Sequence, residues 1–245
     1  MLLVFTFSLN AQAPAGVPIP KEPHHHLVLE NDYVRVFRVS VPGHDATLLH
    51  QHDVPYLYIS LGPADVINAI QGRPEVHIVM ADGQVGYSLG HFAHIARTDA
   101  GLVFNNVTIE LLKPQGELRN LCSRIIEGPL NDCPQPGPNE PLPQPPPISF
   151  TRLFETNEIL ITAAISAPRV SYIGFEPNRA RLLISLNNSD LKVEPPGEAP
   201  KLLSSGNVLW IPAGSAPKLT RHADSIPSRF LLLSFKDSGP DKKPE

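Results

Sequence analysis

The chain has 245 residues, a formal net charge of −4, and 42% hydrophobic and 18% charged residues. This length allows one large domain or two of ordinary size, and the composition supports a packed core. A chain with no net positive charge and no basic patch is a poor partner for nucleic acid. Proline is frequent, with 28 residues. Short apolar runs bounded by Gly, Pro, Asn or Asp outnumber helical patterns, so the sequence predicts an all-β protein.

The N-terminus is an apolar run, Met1 to Leu9, followed by small and polar residues. This pattern is typical of a secretory signal peptide, although no Lys or Arg precedes it. The run is too short to span a bilayer. We therefore expect residues 1–15 to be a signal peptide and the mature chain to be secreted or periplasmic, without membrane contact. A disordered N-terminal tail is the alternative.

The next segment is an arm with three adjacent histidines, His24, His25 and His26. Adjacent side chains of an extended segment point to opposite sides, so only His24 and His26 could share a ligand. We expect these residues to be mostly solvated or packed on the neighbouring sheet. Beyond the arm, nine strands are predicted: 27–30, 33–41, 47–52, 56–61, 66–71, 76–80, 85–89, 92–96 and 107–112. The pair Asp82-Gly83 predicts a tight hairpin between two of them.

His50 and His52 lie one residue apart on a predicted strand. Side chains at this spacing point to the same face, so two imidazole nitrogens can reach one metal ion about 2 Å away. Together with Gly43 and Gly62, this pair resembles the first motif of the cupin family. Tyr56 stands where that family usually has a Glu.

The stretch Leu89-Gly90-His91-Phe92-Ala93-His94 resembles the second cupin motif, with His94 in the ligand position. The resemblance implies a three-histidine metal site, without the usual carboxylate, formed by His50, His52 and His94. His91 and His77 are candidates for an extra ligand, and either could instead be an ordinary polar residue.

Tyr56 is in phase with the histidine pair and should point to the same side. A neutral phenol, with an unperturbed pKa of about 10, suits hydrogen bonding beside a metal better than ligation. We therefore predict a supporting catalytic role for Tyr56, with core packing as the alternative. His44, in a Pro-Gly turn, is expected to face solvent.

The implied cofactor is one divalent metal ion. Three neutral imidazoles would leave its positive charge uncompensated and at least one coordination position open. Zn, Cu, Fe, Mn and Ni are not distinguished by the sequence, and export favours Zn or Cu. Ligation needs neutral histidines, so metal occupancy should fall as the pH drops through about 6.

A different composition separates the two halves of the chain. Cys122 and Cys133 are the only cysteines, and in an exported chain two thiols more often form a disulfide than a reactive site. Two Cys alone would be too few ligands for a metal site. Nine prolines lie between Pro129 and Pro147. Such a stretch fits neither a helix nor a sheet and predicts a stiff, extended linker.

The second half repeats the first. Residues 58–61 align with residues 183–186 at an offset of 125, and residues 85–94 with residues 208–217 at an offset of 123. Such a repeat fixes the architecture. With the motifs, it resembles a bicupin: two tandem cupin barrels of the double-stranded β-helix or jelly-roll type. The expected domains are an N-terminal cupin with the metal site (16–118), a Cys- and Pro-rich linker (119–150), a degenerate C-terminal cupin (151–237) and a disordered tail (238–245).

The second repeat lacks the ligands of the first. At the repeat offsets, the three histidine positions fall on Phe175, Pro177 and Pro217. The one histidine of this half, His222, lies in a predicted loop. We expect the C-terminal barrel to be structural or to bind something without a metal.

The sequence is compatible with two functions. The first is a metalloenzyme doing oxidative, dioxygenase-like or Lewis-acid chemistry on a small organic or carbohydrate-derived substrate. The second is a non-catalytic ligand-binding or structural bicupin with a relict metal site. The cupin fold serves both kinds of protein, so the fold alone does not decide between them. An open cavity beside the histidines would favour the enzyme, and a packed interior the alternative. A homo-oligomer is compatible with either.

Overall fold

The computed structural model describes residues 15–99, 101–117, 119–120, 148–166, 178–188, 191–194, 197, 199–221 and 227–236. Within these ranges the chain forms β-strands and one short 3-10 turn, η1 (Ile19–Lys21), with no α-helix, so the all-β class is confirmed. None of the described segments is a helix of the length and apolarity needed to cross a membrane. The predicted signal peptide up to residue 14, Cys122, Cys133 and His222 lie outside the described residues.

The N-terminal half forms two sheets of five strands each. The N-outer sheet has the spatial order β1 (Val17–Pro18), β4 (His50–His52), β9 (Phe92–Arg97), β6 (Ala64–Ile70) and β7 (Val76–Met80). The N-inner sheet has the order β2 (His25–Glu30), β3 (Val34–Val41), β10 (Phe104–Leu111), β5 (Tyr56–Ser60) and β8 (Val85–Ser88).

The C-terminal half repeats this plan. The C-inner sheet has the order β11 (Arg119–Asn120), β12 (Ile148–Glu155), β13 (Ile159–Ser166), β19 (Ser228–Phe235), β14 (Arg181–Ser185) and β17 (Val208–Ile211). The C-outer sheet contains β16 (Lys201–Leu203), β15 (Leu191–Glu194) and β18 (Lys218–Arg221). Apart from β11, the C-inner order matches the N-inner order, and the C-outer strands match β7, β6 and β9. The duplication is therefore present in topology as well as in sequence.

Three hydrophobic cores separate these sheets into four layers. Strand β10 shows how: Phe104 packs between the two N-terminal sheets, whereas Val107 and Ile109 pack against the C-inner sheet. A third core, which includes Phe230 and Leu232, lies between the two C-terminal sheets. Because the inner sheets are covered on both faces, their strands are apolar at successive positions rather than alternating.

Two arginines connect the halves through reciprocal turn contacts. The guanidinium of Arg229 donates hydrogen bonds to the carboxylate and the carbonyl of Asp82, at 2.5 and 2.8 Å. In the opposite direction, Arg38 Nη1 donates to the Ser205 carbonyl at 2.7 Å, beside Gly206. Each half thus holds a turn of the other.

An aromatic group also spans the two halves. Tyr33 lies beside Trp210, the only tryptophan, with ring centroids 5.4 Å apart. Phe235 is 5.2 Å from each of them. The interface between the halves is therefore part of the folded core.

The predicted Asp82-Gly83 hairpin is wrong. A turn is present, but β7 pairs with β6 in the N-outer sheet, and β8 pairs with β5 in the N-inner sheet. The turn therefore carries the chain from one sheet to the facing sheet. An Asp-Gly pair specifies a reversal of the chain, but the partners of the flanking strands depend on the rest of the sandwich.

Substitution of Gly206 tests the contact between the halves. Its φ is +73°, and an added Cβ would lie 1.4 Å from Arg38 Nη1. Gly72 is a matched control, because its φ is +76° and an added Cβ there would have no atom within 4 Å. Gly72→Ala should cost about 1–2 kcal/mol through left-handed strain alone. Gly206→Ala should cost about 1–3 kcal/mol more, because it displaces a hydrogen bond from a charged group.

The measurement is the free energy of unfolding in urea for both variants. Equal losses would show that the Arg38 contact does not contribute to stability.

Candidate metal centre

The strand pairing brings the three predicted histidines together. Strand β4 pairs antiparallel with β9, so that His50 lies directly opposite His94, and His52 opposite Phe92. Residues opposite each other in such a pair share a face, and so do residues two apart on one strand. All three imidazoles are buried on the side that faces the N-inner sheet.

The geometry of this histidine cluster suits a metal ion. One ring nitrogen from each residue lies within 4.8 Å of the other two. The Nε2 atoms of His52 and His94 are 3.1 Å apart. Nitrogens bound to a common ion at about 2.0–2.1 Å are separated by distances of this order. The cluster could therefore hold one ion with little rearrangement.

Hydrogen bonds fix the orientation of two of the rings. His50 Nδ1 lies 2.9 Å from the Leu48 carbonyl, and His94 Nδ1 lies 2.6 Å from Asn68 Oδ1. Both oxygens can only accept, so each Nδ1 carries the proton and each Nε2 keeps its lone pair for the cluster. This is the arrangement of metal-ligating histidines in proteins, whose second nitrogen donates to an oxygen. His52 Nδ1 is buried without a hydrogen-bond partner in the described part of the chain.

The surroundings keep these imidazoles neutral. Burial and the neighbouring His25 lower the pKa of His50 to about 4. Burial also lowers the pKa of His52 and of His94 well below the usual value, with further contributions from the other histidines of the cluster. Metal ligation requires neutral imidazole, so the donor set fits a metal ion in its chemistry as well as in its geometry.

A cavity of about 430 Å³ adjoins the histidine cluster between the two N-terminal sheets. Its walls are mainly aliphatic and aromatic, and they include Tyr58, Phe92 and Phe104. Val76, which is 52% exposed, also lines the cavity, so the cavity reaches the protein surface. A ligand of small-molecule size can thus approach the three histidines.

Tyr56 lies where its phase predicted, in the cavity wall next to the cluster. Its ring stacks on that of His52, with centroids 3.8 Å apart and an interplanar angle of 15°. Burial raises the pKa of the Tyr56 hydroxyl, which also hydrogen-bonds to Ser88. The phenol is therefore neutral. Its supporting catalytic role stays a prediction.

The other sequence candidates lie outside the cluster. His91 is exposed in the connection between β8 and β9, with φ +61°, and its backbone N–H donates to the His52 carbonyl. His77 is exposed and forms an ion pair with Asp65. His44 is exposed, as expected. The structure therefore brings neither suggested extra ligand to the three histidines. In the C-terminal half, Pro217 is buried at the position equivalent to His94.

Two residues of the site are not predicted by the sequence analysis. The alternation of side chains favours His24 and His26 as the arm histidines that could share a ligand, but His25 is the buried one and lines the cavity. It pairs with Val39 on β3, an interior position. The second residue is Asn68, on β6 between the cavity-lining Val66 and Ile70. Asn68 could have been found from the sequence as a polar residue at an inward-facing position of a predicted strand.

Comparisons with known proteins identify the fold. No protein-family model and no curated protein sequence matches the chain. Among solved structures, a cupin 2 conserved barrel domain protein from Leptotrichia buccalis is 12% identical with a TM-score of 0.53, covering 86% of this chain and 88% of its own.

A salicylate 1,2-dioxygenase from Pseudaminobacter salicylatoxidans is 10% identical with a TM-score of 0.57, covering 86% of this chain and 75% of its own. A vicilin from Solanum lycopersicum is 12% identical with a TM-score of 0.56, covering 83% and 75%. These likenesses show that the chain has the cupin fold. Its two similar halves repeat this fold in tandem, a bicupin architecture, with the histidine cluster in the N-terminal barrel.

Removal of one histidine should abolish stoichiometric metal binding. Two imidazoles do not hold a divalent ion against water, so His50→Ala, His52→Ala and His94→Ala should each lose the metal. His77→Ala is the control. Because His77 is a surface residue, this variant should retain one ion per chain. Metal analysis of untagged protein measures the stoichiometry. Tight binding that survives His94→Ala would contradict the three-histidine assignment.

Asn68→Ala should weaken metal binding without abolishing it. The substitution removes the acceptor that orients His94, and loss of such a partner typically lowers metal affinity by about 10–100-fold. Asn106→Ala is the matched control, because Asn106 also lines the cavity but hydrogen-bonds to Thr108 instead. Competition with a chelating dye gives both affinities. Equal affinities of the two variants would show that Asn68 does not position His94.

The lowered pKa values of the cluster histidines change the expected pH dependence of metal binding. The ordinary histidine pKa predicts metal release near pH 6. Because burial and His25 lower the pKa of His50 to about 4, release from the folded protein should instead occur nearer pH 4.

The same shift affects stability. Between pH 6.5 and 4 the unfolded chain binds more protons than the folded one, so the stability of the metal-free protein should fall as the pH drops through this range. Metal content and Trp210 fluorescence, followed together, separate release from unfolding. Release near pH 6 with the fold intact would contradict the lowered pKa.

Proposed function

We propose that the N-terminal barrel is a metal-dependent enzyme that acts on a small organic compound, with oxidative, dioxygenase-like chemistry preferred over Lewis-acid chemistry. The observation that carries this proposal is the contact between cavity and cluster. His50, His52 and His94 all line the 430 Å³ cavity, so a molecule in it would lie against a metal held there. A purely structural protein with a relict metal site would have no need of such a cavity.

The protein would supply ligands, orientation and a dry environment. His50, His52 and His94 would hold one divalent ion, whose uncompensated charge would polarise a bound substrate or support reaction with dioxygen. Leu48 and Asn68 keep two of the rings in a ligating orientation. The mainly apolar walls would limit the water beside the cluster. Imidazole ligands suit Zn, Cu, Fe and Ni alike.

The cavity lining favours a mainly apolar substrate over a carbohydrate. Val66, Ile70, Ile78, Met80 and several aromatic rings form most of its wall. Among proteins of similar fold, the salicylate 1,2-dioxygenase acts on an aromatic acid by its name, and a variant of it has been solved in complex with gentisate. The similarity supports a small ring compound as the first class to test.

The alternative function is ligand binding without catalysis. It is favoured by the second barrel, where Pro217 stands at the position equivalent to the ligand His94. In that case the cavity would bind a compound without converting it.

Oxygen uptake distinguishes the two functions. The metal-free protein is loaded separately with Fe(II), Mn(II), Cu(II) and Zn(II) and mixed with a panel of small ring compounds. Oxygen consumption that needs a redox-active metal, and is lost in His94→Ala, would support the dioxygenase-like enzyme. Conversion without oxygen would favour Lewis-acid chemistry. Binding of panel compounds without conversion under any metal would favour the non-catalytic alternative.

Tyr56→Phe should retain the metal and lower turnover. The substitution keeps the ring that stacks on His52 but removes the hydroxyl that reaches Ser88 beside the cavity. Because a hydrogen bond to a charged group contributes about 1.5–3 kcal/mol, turnover should fall by about 10–100-fold. Tyr33→Phe is the matched control, because Tyr33 lies at the interface with Trp210. Unchanged turnover in Tyr56→Phe would show that the tyrosine only packs.

A further inference from the structure

The N-terminal arm adds a carboxylate–imidazole pair to the cavity. Glu22 is 1% exposed and His25 is 8% exposed. Glu22 Oε2 accepts a hydrogen bond from His25 Nδ1 at 2.5 Å. The His25 ring lines the cavity and lies 4.7 Å from that of His50, between centroids. His25 is outside the set of three histidines that can share a metal ion.

The carboxylate of this pair is held in place by several donors. Besides His25, it accepts hydrogen bonds from the backbone N–H groups of His24 and Leu48, at 2.9 and 3.1 Å, and His24 Nδ1 lies 3.0 Å from it. Burial acts to raise the pKa of Glu22, but the hydrogen bonds from His25 and His24 outweigh burial and lower it to about 2. Glu22 is therefore ionised and can only accept.

This arrangement determines what His25 offers to the cavity. The carboxylate accepts the hydrogen bond from Nδ1, and in this tautomer of imidazole the lone pair is on Nε2, which accepts hydrogen bonds. Three other polar residues of the cavity are already engaged: Asn68 with His94, Asn106 with Thr108, and Thr47 with the Ala96 N–H. The Tyr87 hydroxyl is buried without a hydrogen-bond partner among the described residues. His25 is thus an oriented acceptor in a mainly apolar cavity, beside the cluster.

We propose that His25, oriented by Glu22, is a substrate-binding residue that accepts a hydrogen bond from a hydroxyl group, and that the cavity takes small hydroxylated ring compounds of the phenol class. This inference rests on the proposed function, because it assigns the substrate class of the same cavity. The ring of such a compound contacts the apolar wall, and its hydroxyl lies between His25 and the histidine cluster.

Phenol and toluene provide the test, because they have similar shape and differ in the hydroxyl group. Their affinities for the zinc-loaded protein are measured by calorimetry. In His25→Phe the ratio of phenol to toluene affinity should shift by about tenfold toward toluene, as expected for the loss of one hydrogen bond. His26→Phe is the matched control, because His26 is the exposed neighbour, and the ratio should not change. Glu22→Gln should shift the ratio in the same direction, since the ring loses its charged partner.

The outcomes separate this inference from the proposed function. An unchanged ratio in His25→Phe, with one zinc per chain, would overturn the inference and leave the metal or a tyrosine as the recognising group. Failure of both compounds to bind the wild-type protein would also overturn it. Absence of zinc from the wild-type protein would instead contradict the proposed metal site, and the affinity ratio could still be measured in the metal-free protein.

Discussion

The site depends on one register, the antiparallel pairing that sets His50 opposite His94. Because side chains alternate along a strand, a slip of one residue in β4 would turn His50 and His52 away from the cavity. Strand β4 has only three residues, so backbone pairing alone is a weak constraint on its position. The Leu48 N–H and carbonyl add contacts to Glu22 and His50 just before the strand begins. The arm therefore helps to hold the register on which the cluster depends.

Much of the architecture was predictable because its signals are local or repeated. The apolar runs and their turn residues indicated an all-β chain, and the internal repeat indicated two similar halves. The His-x-His spacing places two imidazoles on one face of any strand, so the pair needed no knowledge of the fold. The prediction of His94 as a ligand required the motif resemblance, because nothing in its local sequence indicates that β9 lies beside β4.

The parts that sequence reasoning missed depend on pairing between distant segments. The facing of His25 depends on its pairing with Val39 and on a bulge between Leu27 and Leu29 that local alternation does not reveal. The contact between Asn68 and His94 joins strands β6 and β9, which are far apart in sequence. The Asp82-Gly83 turn was placed correctly, but its strands belong to different sheets. Sequence pattern determines periodicity more securely than it determines partners.

The aromatic group at the interface makes Trp210 an intrinsic optical probe of the other barrel. As the only tryptophan, it accounts for all indole emission, and its neighbour Tyr33 belongs to the N-terminal half. Separation of the halves would expose the indole to water and shift its emission to longer wavelength. One fluorescence signal from the C-terminal barrel therefore reports whether the barrel with the histidine cluster is still docked against it.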